Sequence, residues 1–364
     1  MTLARHLGAA IVLAVLIVLL SIQLSAYRDY QLAEVAAYLV AVAGLTVLIG
    51  LSGQISIGNG AFMAIGGYTT ALLLTHLGWP LVLILLASVV VAAASGAIFG
   101  VAAARLRGPY LAGATLMLAV ALPTVANQFQ SQLGGDQGLS VAITAPGFLG
   151  ATFPPTRWQA WVTCAAALIA LILLANLNRS RVGRSWRAVR DDEVAASLSG
   201  LNVARLQVLA FVVSAACAGL GGGLLAVVTG IVAPGAYTLT LSIALLTAAV
   251  LGGLGTLPGA LWGSLVLVLV PTYLTNVGTS HGLSSAASSS VPIAAYGVIL
   301  IVVMLVFPLV SRAAFVACSG RPRPRRFTAT RTRPITPRRA GVSPSPPCAT
   351  RRRAARTRKK APLE

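Results

Sequence analysis

The side chains able to do chemistry in this 364-residue chain are few, and most stand alone. Its acids are Asp29, Glu34, Asp136, Asp191, Asp192, Glu193 and Glu364; its histidines are His6, His76 and His281; its cysteines are Cys164, Cys217, Cys318 and Cys348. A metal site needs such ligands gathered at characteristic spacings, and the scatter here predicts none. An ion-driven carrier keeps carboxylates inside its membrane spans, where only a functional use offsets their cost. None of these acids falls mid-span in the assignment below, and Glu34 comes closest, in the first turn of the second span. A P-loop needs a lysine to reach the phosphates, yet the only lysines are Lys359 and Lys360. No polar cluster at depth suits a protease or transferase. The chain is therefore expected to be no enzyme and to hold no cofactor.

Two stretches break this pattern. The first, residues 178–200, concentrates charge: Arg184, Arg187 and Arg190 precede Asp191-Asp192-Glu193. Those acids suit the start of a helix, where they oppose the macrodipole and cap free amides. Ala195 and Ala196 suit its interior and Gly200 its stop. A short surface helix with small residues in its middle allows a partner to approach closely. The alternative is a solvated loop whose arginines only follow the positive-inside bias. The second stretch sets Gly53, Gln54, Ser56, Gly58, Asn59 and Phe62 beside one another. Glycines weaken helix and permit unusual dihedrals, and the polar neighbours either satisfy freed backbone groups or touch a solute. Close helix packing is the competing reading.

The elements that must position these residues follow from composition. The chain is 57% hydrophobic and 9% charged, against about 25% charged in soluble domains. Long continuous apolar runs fit helices crossing a bilayer, not the alternation of a barrel. The fold class is thus all-α, a polytopic transmembrane helical bundle of about ten spans near 7–25, 31–51, 61–79, 81–104, 109–132, 159–177, 207–229, 240–255, 259–275 and 292–314. The eighth and ninth read as short. The first reads as a transmembrane helix, with a cleaved signal peptide as the alternative. Arginine placement sets both termini and the 178–200 block on the cytoplasmic side and the turn-rich loop 133–158 outside. No internal repeat stands out. Residues 1–320 form the membrane domain. Residues 321–364 carry 15 of the 27 Lys and Arg but only one acid. Such an Arg/Pro-rich tail is expected to be disordered. It either touches anionic lipid or arises from a shifted reading frame; nucleic-acid binding is not expected.

Three segments carry a family resemblance. Arg184-Ser185-Trp186-Arg187-Ala188-Val189-Arg190-Asp191-Asp192-Glu193-Val194-Ala195-Ala196, followed by Gly200-Leu201-Asn202, resembles the cytoplasmic coupling segment of branched-chain amino acid ABC transporter permeases. Residues 50–62 with Gly66-Gly67-Tyr68 resemble the early Gly-rich motif of that family, and Gly252-Gly253-Leu254-Gly255-Thr256-Leu257-Pro258-Gly259 its late one. The likeness covers roughly 30–310, and the Arg…Asp-Glu form is similar to the larger permease of the pair. Asn59-Gly60 departs from the usual pattern, the Ser-rich loop 279–290 is unusual, and the tail has no counterpart. Leu51-Ser52-Gly53-Gln54 also has the letters of an ABC ATPase signature, but it lies between apolar spans with no ATPase domain around it.

The resemblance implies a permease subunit of an ATP-driven importer in the plasma (inner) membrane, moving branched-chain or related small amino acids. It implies partners too: ATP-binding subunits, a second permease subunit, an extracytoplasmic solute-binding protein and the lipid bilayer. Arg184, Arg187, Arg190, Asp191, Asp192, Glu193, Ala195, Ala196 and Gly200 would form the ATPase-coupling loop. Gly53, Gln54, Ser56, Gly58, Asn59 and Phe62 would border the translocation path. Urea or short amides are alternative solutes, and a membrane scaffold without transport is the alternative class.

Overall fold

A computed structural model describes residues 25–105, 109–141 and 154–280, together with positions 297 and 301. The helices are α1 (Ala26–Ser52), α2 (Asn59–Leu77), α3 (Leu81–Ala103), α4 (Pro109–Gln128), the single turn α5 (Gln130–Leu133), α6 (Pro155–Arg179), α7 (Arg181–Asp191), α8 (Glu193–Leu198), α9 (Val203–Thr229), α10 (Leu239–Gly252) and α11 (Leu257–Ser280). Seven of them, α1 to α4, α6, α9 and α11, are long and apolar enough to cross a membrane; α10 is apolar but shorter. The second to ninth expected spans thus each have a helix. The first expected span, the tenth apart from positions 297 and 301, the centre of loop 133–158 and the tail lie outside the described residues.

Helix α1 is the axis of the bundle. Beyond its polar first turns it is apolar on nearly every side, as an enclosed helix must be, and almost entirely buried. Helices α6, α9, α10 and α11 surround it, and α9 also packs against α2 and α3. Small residues make these approaches possible, as expected where helices meet in a membrane. Gly44 of α1 leaves room for Cys217, and Gly221 of α9 lies against Ala37 and Ala41. Gly66 of α2 abuts the backbone of Gly219, and Gly222 abuts the Met63 carbonyl, so closely that neither site admits a Cβ. The α1 pairings run α9 antiparallel to α1, and the approaches of Asn59 to Ser214 and of Thr70 to Gly223 run it parallel to α2. Phe62 fills the space between them, in edge-on contact with Phe99 and Phe211 at centroid distances of 6.1 and 5.9 Å.

The end of the bundle away from α7 and α8 is tied by two devices. Buried Asp29, in the first turn of α1, pairs with Arg157 of α6 at 3.6 Å. A two-residue antiparallel ladder joins β1 (Leu139–Ser140) to β2 (Ile231–Val232), and the Val141 N–H extends it to the Gly230 carbonyl.

Three features differ from the sequence expectation. Helix α1 begins at Ala26, so Asp29 and Glu34 lie within it, Glu34 in its third turn; the polar start Ala26–Gln31 is helix-compatible and simply lacks the apolar signature of a span. The ninth span is not short, because α11 runs for 24 residues, starting beside Pro258 where a missing N–H costs nothing. The small ladder adds strand to a bundle that is otherwise helical or irregular among the described residues.

Candidate functional site

The charged block folds as a helical hairpin. Ser180 caps α7 by accepting from the Gly183 N–H at 3.4 Å. Gly183, Trp186 and Val189, three residues apart, form its buried face. Trp186 is fully enclosed, and its Nε1–H donates to the Leu206 carbonyl at 2.8 Å, which pins α7 to the start of α9. Asp192 caps α8, its Oδ1 accepting from the Val194 and Ala195 amides at 2.8 and 3.0 Å. Gly200 sits at φ +81° beyond α8, a left-handed conformation that suits glycine after a helix. Glu193 Oε1 accepts from Gln207 Nε2 at 3.0 Å, a second tie to α9.

The three arginines donate to carbonyls at helix ends. Arg184 donates to the Arg179 carbonyl and Arg187 to the Asn178 carbonyl, at 3.1 and 2.6 Å, both at the end of α6. Arg190 donates to the Gly50 carbonyl at 2.6 Å, at the end of α1, and to Asp191 at 3.0 Å. The last carbonyls of a helix have no partner within it and carry partial negative charge, so each cation finds a natural acceptor. What the end of α7 and α8 offer to water is different. Asp191, Asp192, Glu193 and Ala195 are exposed, Ala196 is buried, and Val194 and Leu198 are 68% and 84% exposed. The sequence reading missed this apolar pair, whose signal was its four-residue spacing on one helix face.

Arg190 also brings the three motifs together. Its stem lies over Gly53, which has φ +75° and where a Cβ would stand 2.9 Å from Arg190 Cγ. Gly50, whose carbonyl Arg190 holds, abuts the backbone of Gly255 in the turn between α10 and α11. The coupling-like hairpin, the early Gly-rich motif and the late one therefore share one junction at the end of α1.

From that junction the chain runs non-helically back into the bundle. Gln54 Nε2 donates to the Gln207 carbonyl at 3.2 Å, and Ser214 Oγ donates to Asn59 Oδ1 at 3.4 Å. Between Gln207 and Ser214, α9 rises by about 10 Å, which is how far this segment climbs before α2 begins. Backbone at such depth must be satisfied by protein. The Ile57 N–H donates to Thr115 Oγ1 at 3.0 Å, the Gly58 N–H to Ser56 Oγ at 3.3 Å and the Gly60 N–H to Ser242 Oγ at 3.1 Å. Gln54, Ser56, Gly58 and Asn59 are buried, Gly53 and Ile55 are exposed, and Phe62 belongs to the aromatic packing described above. A Cβ at Gly60 would meet Ser242 Oγ, so glycine here permits close contact with α10. Among the described residues no group of three or more His, Cys, Asp and Glu could hold a metal ion.

The chain is similar to known membrane transport proteins. A family model described as branched-chain amino acid transport system, permease component, matches residues 27–309. The chain is 33% identical over 255 residues to the high-affinity branched-chain amino acid transport system permease protein LivM of Salmonella typhimurium, covering 64% of this chain. It spans only 60% of the length of that relative. It is 30% identical over 301 residues to the permease protein LivH of Escherichia coli, covering 75% of this chain and 90% of the relative. The fructose import permease protein FrcC of Rhizobium meliloti is 26% identical over 262 residues, covering 70% and 72%. No solved structure matches.

Proposed function

We propose, from the premise that the chain belongs to the family of branched-chain amino acid transport system permease components, that it is a permease subunit of an ATP-driven importer in the plasma (inner) membrane. Its solutes are branched-chain or related small amino acids. ATP is bound by partner subunits, a second permease completes the membrane part, and an extracytoplasmic binding protein delivers the solute. Both termini and the α7–α8 hairpin face the cytoplasm.

The observation that carries this reading is the hairpin. It offers Val194 and Leu198 to water on one side and on the other is bonded to the ends of α1 and α6 and the start of α9. A soluble ATPase gripping the apolar pair can therefore move three membrane helices through a few hydrogen bonds. The segment from Gly53 to Asn59 is the part of the chain such a movement reaches first. The test is to express the chain with its ATPase, permease and binding-protein partners and measure ATP-dependent uptake of labelled leucine, isoleucine and valine. Leu198→Asp should reduce both ATPase co-purification and uptake, while the chain stays in the membrane. Full co-purification and uptake in that variant would remove the hairpin from the coupling role.

A further inference from the structure

Two helices begin inside the bundle, and they begin at the same place. The first turn of α2, at Asn59, lies beside the first turn of α10, at Leu239, joined by the bond from the Gly60 N–H to Ser242 Oγ. Each helix N-terminus carries roughly half a positive charge, so two positive ends meet in apolar surroundings. The acids among the described residues stand elsewhere. Asp29 and Glu34 lie toward the start of α1, Asp136 precedes β1, and Asp191, Asp192 and Glu193 belong to the hairpin.

The side chains at this meeting point have donors to spare. Asn59 is 1% exposed; its Oδ1 accepts from Ser214, while its Nδ2 has no partner among the described residues. Ser242 and Ser56, both buried, accept through Oγ from the Gly60 and Gly58 amides, and neither hydroxyl proton has an acceptor among the described residues. Glycines on both sides of Asn59 let Thr115 and Ser242 approach the start of α2 closely. Ile55, on the same extended segment, is half exposed, so this segment borders an open face of the chain. Unspent N–H and O–H groups beside two positive helix ends recognise an anion, and a carboxylate accepts from several donors at once.

We infer that this junction, formed by Asn59, Ser242 and the first turns of α2 and α10, takes the carboxylate group of the transported amino acid on its way through the membrane. The inference rests on the transport reading above. It is tested on the assembled transporter by thermal unfolding with L-leucine or with L-leucinol, which lacks the carboxylate. Leucine at millimolar concentration should raise Tm, and leucinol should not. Asn59→Asp places a permanent carboxylate between the helix ends, so its unliganded Tm should rise and its leucine shift should vanish. A merely structural Asn59 would instead make that buried charge lower Tm. Ser242→Ala should at least halve the leucine shift. Equal shifts with leucine and leucinol, no shift with leucine in a transporter that takes leucine up, or an Asn59→Asp protein of lower Tm that keeps the leucine shift, would each overturn the inference. A transporter that turns over ATP but takes up no branched-chain amino acid overturns the transport reading first, and this inference with it.

Discussion

Arg190 is the side chain on which transmission from the hairpin to α1 should depend most. Its Nη1 holds the Gly50 carbonyl at 2.6 Å and its stem covers Gly53, where α1 ends and the non-helical segment begins. Hydrogen bonds involving a charged group contribute about 1.5–3 kcal/mol. The Arg190 side chain is 43% exposed, so solvent screening places it at the low end, near about 1.5 kcal/mol. Arg190→Ala should therefore weaken attachment of the hairpin to α1 by about tenfold, since 1.4 kcal/mol is a factor of ten. Trp186 still seats α7 on α9, so the hairpin should remain folded and the ATPase should still co-purify. The assay is leucine uptake and ATP hydrolysis in the same proteoliposomes. Uptake should fall about tenfold while ATP hydrolysis falls less, so that fewer solutes move per ATP. Arg190→Lys, which keeps the charge and one donor without the fork, should fall between the two. Uptake within twofold of the parent, at equal abundance, would refute the idea that force passes through this bond.

Trp186→Phe removes only the Nε1–H donor to Leu206 and should cost about 1 kcal/mol, whereas Trp186→Ala also opens a cavity and should cost about 3–5 kcal/mol; thermal unfolding of the purified protein separates the two. Gly222→Ala puts a methyl group against the Met63 carbonyl and should destabilise by about 1–3 kcal/mol through overpacking, read as a lower Tm and lower membrane abundance. Reporter fusions at residues 185–195 should read cytoplasmic and fusions at 140–150 extracytoplasmic; activity on the same side at both would break the proposed topology. A chain ending at Ala317 should transport within about twofold of full length, an effect near 0.4 kcal/mol; complete loss at normal abundance would show that residues 321–364 have a specific role.

The membrane helices were legible because a bilayer imposes a length of apolar sequence on whatever crosses it. The caps of the hairpin were legible too, since Asp192 and Gly200 act locally. The partners of Arg184, Arg187 and Arg190 were not, because their acceptors are carbonyls at helix ends, and a carbonyl leaves no mark in the sequence. Phe62 was expected to border the translocation path, and its edge-on packing against Phe99 and Phe211 was not legible because those residues are far from it along the chain. Val194 and Leu198 were hidden by the charges around them. The start of α2 deep inside the bundle also escaped the sequence, since its depth is set by contacts with α9 and α10.

That depth has a consequence for how the protein is made. The segment from Gly53 to Gly60 is held by Thr115 and Ser242, which accept from the Ile57 and Gly60 amides, and by the Gln207 carbonyl, which accepts from the Gln54 side chain, all residues synthesised after it. Until they arrive, its amides face either lipid, at several kcal/mol each, or water. Helix α10, at 14 residues, measures about 21 Å and cannot bridge a hydrocarbon layer of about 30 Å by itself. It has to be inserted together with α11, as a hairpin closed at Gly252 and Gly259. The start of α2 is therefore expected to reach its final contacts only once α9 and α10 are in place. Ribosome pausing or truncation before residue 242 would leave an early segment exposed to quality-control proteases, even though every span made so far is sound.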